Sequence, residues 1–172
     1  MLFILFNMQA GKTGIIYDPR MMDHRSKRKH PEKPQRVKGI INKLGEEGYL
    51  EHPRIEYIST IVRNVEESDL ELAHKKKYIK HVQNLWPKTS HRTDITVLDT
   101  YFNEHSELCA KIAVAGVLDG IDRVMSGHWE NGFAVVRPPG HHSGQRNTIN
   151  GFCVYNNVAV GARYLIQSTF AL

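Results

Sequence analysis

The chain has 172 residues, of which 41% are hydrophobic and 24% charged, and these ordinary values exclude a fibrous repeat or a largely disordered chain. The net charge of +5 permits contact with acidic partners, although an excess of this size usually serves solubility. The apolar start MLFILF is far shorter than the ~20 residues that span a bilayer, and Cys109 and Cys153 lie in no C-x-x-C pattern, so we expect neither a membrane span nor a disulfide framework.

The first half of the chain alternates strand and helix patterns. Short apolar runs bounded by turn or proline signals predict strands at 13–18 and 54–59. Between them, apolar residues at helical spacing predict a helix over 35–50. A less regular apolar stripe predicts another helix over 67–85.

The second half repeats this alternation more strongly. Asn103 is predicted to cap a long helix that ends at Gly127. The run FAVV at 133–136 predicts a parallel strand buried on both faces, and 156–167 predicts a final helix. Strands that alternate with helices indicate an α/β layered fold with a mostly parallel sheet.

The segment RPPGHH, residues 137–142, directly follows the FAVV strand. In such folds ligands bind at the carboxyl ends of the strands, where this segment is expected. Its prolines fix backbone angles and Gly140 permits a sharp turn, so the loop is stiff. An imidazole can accept a proton from water and later return it. From these six residues alone, His141 and His142 form either a base with an electrostatic neighbour or a surface pair in a stiff turn.

Two basic clusters, at 24–33 and 74–78, are interpreted as solvated faces, because no aromatic residues interleave with the first and the second is very short. We therefore expect no nucleic-acid binding. In HPEKPQR, residues 30–36, Glu32 is interpreted as part of a helix start that the helix dipole favours. The role of Arg36 stays open.

Taken together, the motifs resemble those of the zinc-dependent histone deacetylase family, and within it the class II enzymes. The matching stretches, in the order of the family, are TGIIYDPRMMDH, HPEKPQR, DTYFNEHS, AVAGVLDGIDRVMSG, NGFAVVRPPGHH and GFCVYNNVAVGARYL. The resemblance implies an arginase/deacetylase-like three-layer α/β fold. Residues 13–172 would form a partial catalytic domain, and 1–12 a short N-terminal extension. The surface-pair interpretation of the histidines is then set aside.

The function that the resemblance implies is hydrolysis: zinc-activated water removes acetyl groups from lysine side chains of proteins, in the nucleus, the cytoplasm or both. By the same match, His141 and His142 lie beside the metal-bound water, with His142 the base and proton shuttle and His141 electrostatic. Gly151 would offer its carbonyl to the substrate amide. Phe152 would form one wall of the tunnel that holds the lysine stem.

The segment DTYFNEHS resembles a part of the family's substrate rim, with Thr100 or Asp99 as the contact residue. A helix start at either residue is an equal alternative. The partners implied are an acetylated protein as substrate, histone or other, and co-repressor-type proteins.

Zinc hydrolysis needs carboxylate and histidine ligands around an open coordination position. No aspartate or glutamate follows Glu130 and no histidine follows His142, whereas the family's metal ligands lie downstream of this region. We therefore expect a domain that is incomplete at its C-terminal side, lacks zinc ligands of its own and is inactive alone. Four upstream residues show no ligand spacing that would replace them: Asp18, Asp23, His24 and His30.

Two other functions stay open at this point. A non-catalytic product that acts by binding is favoured by the missing ligands. A deacetylase of small acetylated amines would share the same motifs.

Overall fold

The computed structural model describes residues 11–85, 95–143 and 149–170. The N-terminal extension expected at 1–12 lies, except for Gly11 and Lys12, outside these ranges. A parallel sheet holds the described part together, with strand order β2-β1-β5. Its strands are β1 (Thr13–Ile16), β2 (Ile55–Ile58) and β5 (Asn131–Ala134). Thr13 of the central strand stands in register with Ile55 on one side and Asn131 on the other.

Helices and one hairpin surround this sheet. A short 3-10 helix at Pro19–Asp23 follows β1. The α-helices are α1 (Gln35–Glu46), α2 (Glu67–Glu71), α3 (Lys76–Gln83), α4 (Ser106–Met125) and α5 (Asn157–Phe170). An antiparallel pair, β3 (Ile95–Val97) and β4 (Thr100–Phe102), precedes α4. Among the described helices, none combines the length and the apolar character needed to span a bilayer.

Packing between α4 and the sheet forms the centre of the core. Helix α4 contacts β1, β5 and α5, and its residues from Ile112 to Ala115 are buried. The Trp129 indole lies flat on Gly14 of β1, where an added Cβ would come within 2.1 Å of the ring. Glycine is therefore required at that position, because any side chain would displace the indole.

The α/β architecture with a parallel sheet is confirmed, and so are the strands predicted at 13–18 and 54–59, with bounds shorter by one or two residues. The helices predicted at 35–50 and 156–167 are also found. The long helix begins at Ser106, three residues after the predicted cap, but Asn103 still acts near its start, since its Oδ1 accepts a 3.0 Å hydrogen bond from the His105 N–H.

The single helix predicted over 67–85 is wrong. The chain forms α2 and α3 instead, separated by a turn in which Lys75 is extended. His74, in this turn, points into the core and accepts a 2.8 Å hydrogen bond from the Asn156 N–H. A tertiary contact thus overrides the local helical pattern, which sequence periodicity does not reveal.

The run FAVV contributes to a parallel strand, as predicted, but the strand spans Asn131–Ala134 and includes only the first two residues of the run. The predicted burial is confirmed for Val135 and wrong for Phe133, which is 56% exposed. Strand β5 lies at one edge of the described sheet. An apolar groove of about 260 Å³ lies beside this edge, between β5, α4 and Leu165 of α5.

Candidate functional site

The two adjacent histidines lie in the loop after β5, at the carboxyl end of the sheet. The rings of His141 and His142 are 4.2 Å apart between centroids, are tilted by 58° and are exposed. Gly140, just before them, approaches the chain so closely that a Cβ would lie 2.1 Å from the Tyr155 carbonyl oxygen. The Ser143 N–H and hydroxyl both donate to the Gly140 carbonyl, at 3.0 and 2.8 Å. The loop is therefore fixed on both sides of the imidazoles.

Gly151 packs against the His142 ring. A Cβ at Gly151 would lie 2.5 Å from His142 Cδ2, and the positive φ of +59° also favours glycine there. The buried Cys153 links the two, since its thiol donates to the Gly151 carbonyl at 3.3 Å and its sulfur accepts from the His142 N–H at 3.4 Å. Burial raises the pKa of this thiol. The structure thus places Gly151 directly against the ring of the predicted base.

Phe152 is half-buried and has a positive φ of +65°. Its ring meets His30 edge-on, with centroids 4.9 Å apart, and His30 in turn meets Tyr101 edge-on at 4.8 Å. His30 Nε2 also lies 3.1 Å from the Asp99 carbonyl oxygen. His30 therefore joins the expected tunnel wall to the expected rim. Although His30 opens the motif HPEKPQR, its place in the sequence does not predict this role in the site.

Asp99 and Thr100 lie in the β3–β4 hairpin, with Thr100 in register with Val97. Neither residue begins a helix, so the helix-start alternative is wrong. The sequence does not predict this hairpin, because strands of three residues are too short to show a clear alternation of apolar and polar residues. Thr100 is buried, and its hydroxyl donates to Asp99 Oδ1 at 3.3 Å. Asp99 itself is exposed.

Arg137, the first residue of RPPGHH, is buried and uses all five of its N–H donors. Nε donates to Glu32 Oε1 at 3.0 Å, and Nη2 donates to Glu32 Oε2 at 2.7 Å. The second N–H of Nη2 donates to the Tyr101 hydroxyl at 2.9 Å. Nη1 donates to the carbonyls of Met21 and His24. The helix-start interpretation of Glu32 is wrong, because its buried carboxylate pairs with Arg137 across 105 residues of sequence.

This buried pair determines the charge states around it. Burial opposes ionisation of Arg137, yet hydrogen bonds with Glu32 raise the pKa of the guanidinium. Burial, together with the Glu32 carboxylate, raises the pKa of Tyr101. His24 lies 3.8 Å from Glu32, but burial and the nearby Arg137 charge hold the pKa of His24 well below its usual range. His24 is therefore neutral, stacks on Tyr101 at 4.4 Å and hydrogen bonds the Ser106 hydroxyl.

Hydrogen bonds of the buried residues His74 and Tyr78 and of Asn156 also support the segments next to the histidine loop. Asn156, whose N–H donates to His74, also donates from Nδ2 to the Ser143 carbonyl at 2.9 Å. The Tyr78 hydroxyl donates to the Val154 carbonyl at 2.5 Å. The solvated-face interpretation of cluster 74–78 is thus wrong for His74 and Tyr78, which are buried, and it holds for the exposed lysines between them.

Zinc sites in proteins combine histidine, cysteine and carboxylate ligands. Within 11–85, 95–143 and 149–170, no group of three or more such side chains could hold a metal ion. The described residues therefore do not fit a zinc site by themselves.

The parallel sheet, with two imidazoles at the carboxyl end of one strand and Gly151 packed against the second of them, defines an α/β fold of the deacetylase type. The family model described as the histone deacetylase domain matches residues 30–171. The chain belongs to the histone deacetylase family, a family of generally zinc-dependent hydrolases, and it groups with the class II members.

Individual relatives agree with this assignment. The chain is 34% identical to histone deacetylase clr3 of Schizosaccharomyces pombe over 167 residues, which is 91% of this chain and 24% of clr3. It is 33% identical to the human polyamine deacetylase HDAC10 over 141 residues, which is 79% of this chain and 20% of HDAC10. The solved HDA15 HD domain superposes with a TM-score of 0.78 at 32% identity, covering 92% of this chain and 44% of that one. The chain thus spans under half the length of each of these relatives.

Proposed function

We propose that this chain contributes the histidine-pair side of a deacetylase site that removes acetyl groups from lysine side chains of proteins. The observation that carries the proposal is the fixed pair His141 and His142, with Gly151 packed against the second ring. The domain would comprise residues 13–172. The histone deacetylases among the relatives support an acetylated protein as the substrate.

Each residue of the site then has a separate role. His142 takes a proton from the attacking water and delivers it to the leaving lysine nitrogen, and His141 stabilises the charge that develops. The Gly151 carbonyl, which also accepts from the Cys153 thiol, accepts a hydrogen bond from the substrate amide. Phe152 lies along the lysine stem. At the rim we propose Asp99 rather than Thr100 as the contact, because Asp99 is exposed and Thr100 is buried.

We further propose that the chain alone does not turn over, because the described residues do not make a zinc site. The family's zinc would supply the activation of the water when bound, and its ligands would be held elsewhere. Co-repressor-type proteins and a location in the nucleus, the cytoplasm or both are proposals that follow from the family.

One alternative is deacetylation of small acetylated amines. It is favoured by the identity of 33% with a polyamine deacetylase. The other alternative is binding without catalysis. It requires that His141 and His142 have no role in turnover, whereas the proposal requires that they do.

Both questions can be tested with acetate release. The full chain, supplied with zinc, is expected to release no acetate from an acetyl-lysine histone peptide. A chimera in which residues 13–170 replace the matched segment of clr3 is expected to release it, and His142→Ala in the chimera should slow release by about 100-fold or more. His81→Ala, at an exposed position of α3, is the matched control and should leave the rate unchanged.

Three results would contradict the proposal. Zinc-dependent turnover by the chain alone would refute its inactivity. An unchanged rate in a folded, zinc-loaded His142→Ala chimera would refute the role of the base. Faster release from an acetylated polyamine than from the peptide would favour the small-amine alternative.

A further inference from the structure

A second cavity, of about 380 Å³, lies between the segment 22–30 and the start of α1. Four cationic side chains line it: Arg25, Arg28, Lys29 and Lys33. We call this cavity and its four cations the basic groove. All four side chains are exposed, so their charges are available to a ligand.

The charge of the basic groove is not neutralised from within. In the described part of the chain, none of the four cations forms an ion pair. Among the described residues at the groove, two are carboxylates, and one of them, Glu32, is paired with Arg137. Asp23 is the other. An excess of unpaired positive charge in a concave site favours an anionic ligand.

The position of the groove connects it to the proposed substrate site. His30 lines the groove, and the same ring contacts Phe152 edge-on at 4.9 Å. His30 Nε2 also lies 3.1 Å from the carbonyl oxygen of Asp99, the proposed rim contact. An extended peptide advances ~3.3 Å per residue, so side chains within a few positions of a lysine held against Phe152 reach this groove.

We infer that the basic groove binds acidic side chains that flank the acetyl-lysine of a protein substrate. This inference rests on the proposed deacetylase function and adds a sequence preference to it: acidic flanks are favoured, and basic flanks are disfavoured by like-charge repulsion. A protein ligand fits better than a nucleic acid, because no phenylalanine, tyrosine or tryptophan among the described residues lines the groove to stack on bases.

The test is equilibrium binding of fluorescent peptides to the full chain, measured by anisotropy. Three peptides share one length: acetyl-lysine flanked by glutamates, acetyl-lysine flanked by arginines, and unmodified lysine flanked by glutamates. We expect the first to bind at least about fivefold more tightly than the second. Raising the salt to about 1 M, where the screening length is about 3 Å, should remove most of this difference.

Charge reversal identifies the groove as the cause. Arg28→Glu combined with Lys29→Glu should abolish or invert the preference for acidic flanks. Lys75→Glu combined with Lys77→Glu makes the same change in charge within the other basic cluster, on exposed residues, and should preserve it. Circular dichroism on both variants checks that the fold is unchanged.

The outcomes separate this inference from the function on which it rests. Equal affinity for both acetylated peptides, or a preference that survives in the Arg28/Lys29 variant, overturns the inference and leaves the deacetylase proposal intact. Equal binding of the acetylated and unmodified glutamate peptides supports acidic recognition by the groove, while the deacetylase proposal is tested separately by acetate release from the chimera with clr3. The inference is also overturned if the Arg28/Lys29 variant binds duplex DNA more weakly than the wild-type protein does but binds the acidic peptide equally well.

Discussion

Arg137 connects three separate segments at the base of the histidine loop. Its guanidinium hydrogen bonds the carbonyls of Met21 and His24, the Glu32 carboxylate and the Tyr101 hydroxyl. Because all five N–H groups are satisfied, this charge can stay buried without a large penalty. Pro138 follows directly, so the position of the guanidinium also sets where the chain leaves towards His141.

We expect Glu32→Gln to destabilise the fold by about 3–5 kcal/mol, because it leaves the Arg137 charge buried without a carboxylate. The measurement is the free energy of unfolding from urea titration at neutral pH. Adding Arg137→Met to Glu32→Gln should recover part of the loss, since the unpaired charge is then removed.

The control for this prediction is Lys43→Gln, which removes an exposed ion pair with Glu47 on α1. Such pairs contribute little, so the expected cost is below about 0.5 kcal/mol. If Glu32→Gln costs no more than Lys43→Gln, the buried pair does not stabilise the loop as described.

At the scale of elements, the contact between α4 and α5 depends on a close approach at Gly161. A Cβ there would lie 2.7 Å from Val117 Cγ1 and 3.0 Å from Ile121 Cδ1. We expect Gly161→Ala to destabilise the protein by about 1–2 kcal/mol, because the strain of overpacking exceeds the gain in helix propensity. Urea unfolding measures the change.

The same substitution on α1 gives a matched comparison. Gly39 lies inside the helix, and nothing is within 4 Å of a Cβ built on it. Gly39→Ala should therefore stabilise the protein by about 0.5–1 kcal/mol. If Gly161→Ala and Gly39→Ala change the free energy of unfolding in the same direction, the close packing of α4 against Gly161 does not determine the effect of the substitution.

The elements that the sequence predicts well are those determined by local pattern. Short apolar runs between turn or proline signals predict strands β1 and β2, an apolar period of helical spacing predicts helices α1 and α5, and the structure contains all four. The break between α2 and α3 depends on the contact of His74 with Asn156, 82 residues away. The β3–β4 hairpin has too few residues to show a period.

The candidate site divides in the same way. His141, His142, Gly151 and Phe152 were predicted from motifs, and the structure brings them together, while their roles stay predictions. The pairing of Glu32 with Arg137 depends on long-range folding, and either residue alone is ordinary for the start of a helix or the end of a strand. His30 was missed for the same reason, since its value comes from its contacts with Phe152 and Asp99.

At the scale of the whole molecule, two buried histidines hold distant segments together in their neutral forms. His24 joins the 3-10 helix to Ser106 at the start of α4, and His74 joins the turn before α3 to Asn156 at the start of α5. Burial lowers the pKa of His74 to about 4, and it holds the pKa of His24 well below its usual range. The contact of His74 requires the neutral imidazole, because its Nε2 accepts the hydrogen bond from Asn156, whereas His24 is kept neutral by its burial and the nearby Arg137 charge.

This arrangement predicts that the folded state loses stability in mild acid. Between pH 6.5, the ordinary pKa of histidine, and about 4, the pKa of folded His74, the unfolded chain binds a proton that the folded chain does not. The free energy of unfolding therefore falls as the pH falls, by on the order of 3 kcal/mol from His74. Urea unfolding at a series of pH values measures this. His74→Gln, whose amide oxygen can still accept from the Asn156 N–H, should flatten the fall, whereas His81→Gln, at an exposed position of α3, should not. Equal pH dependence of the wild-type protein and the His74→Gln variant would contradict the assignment.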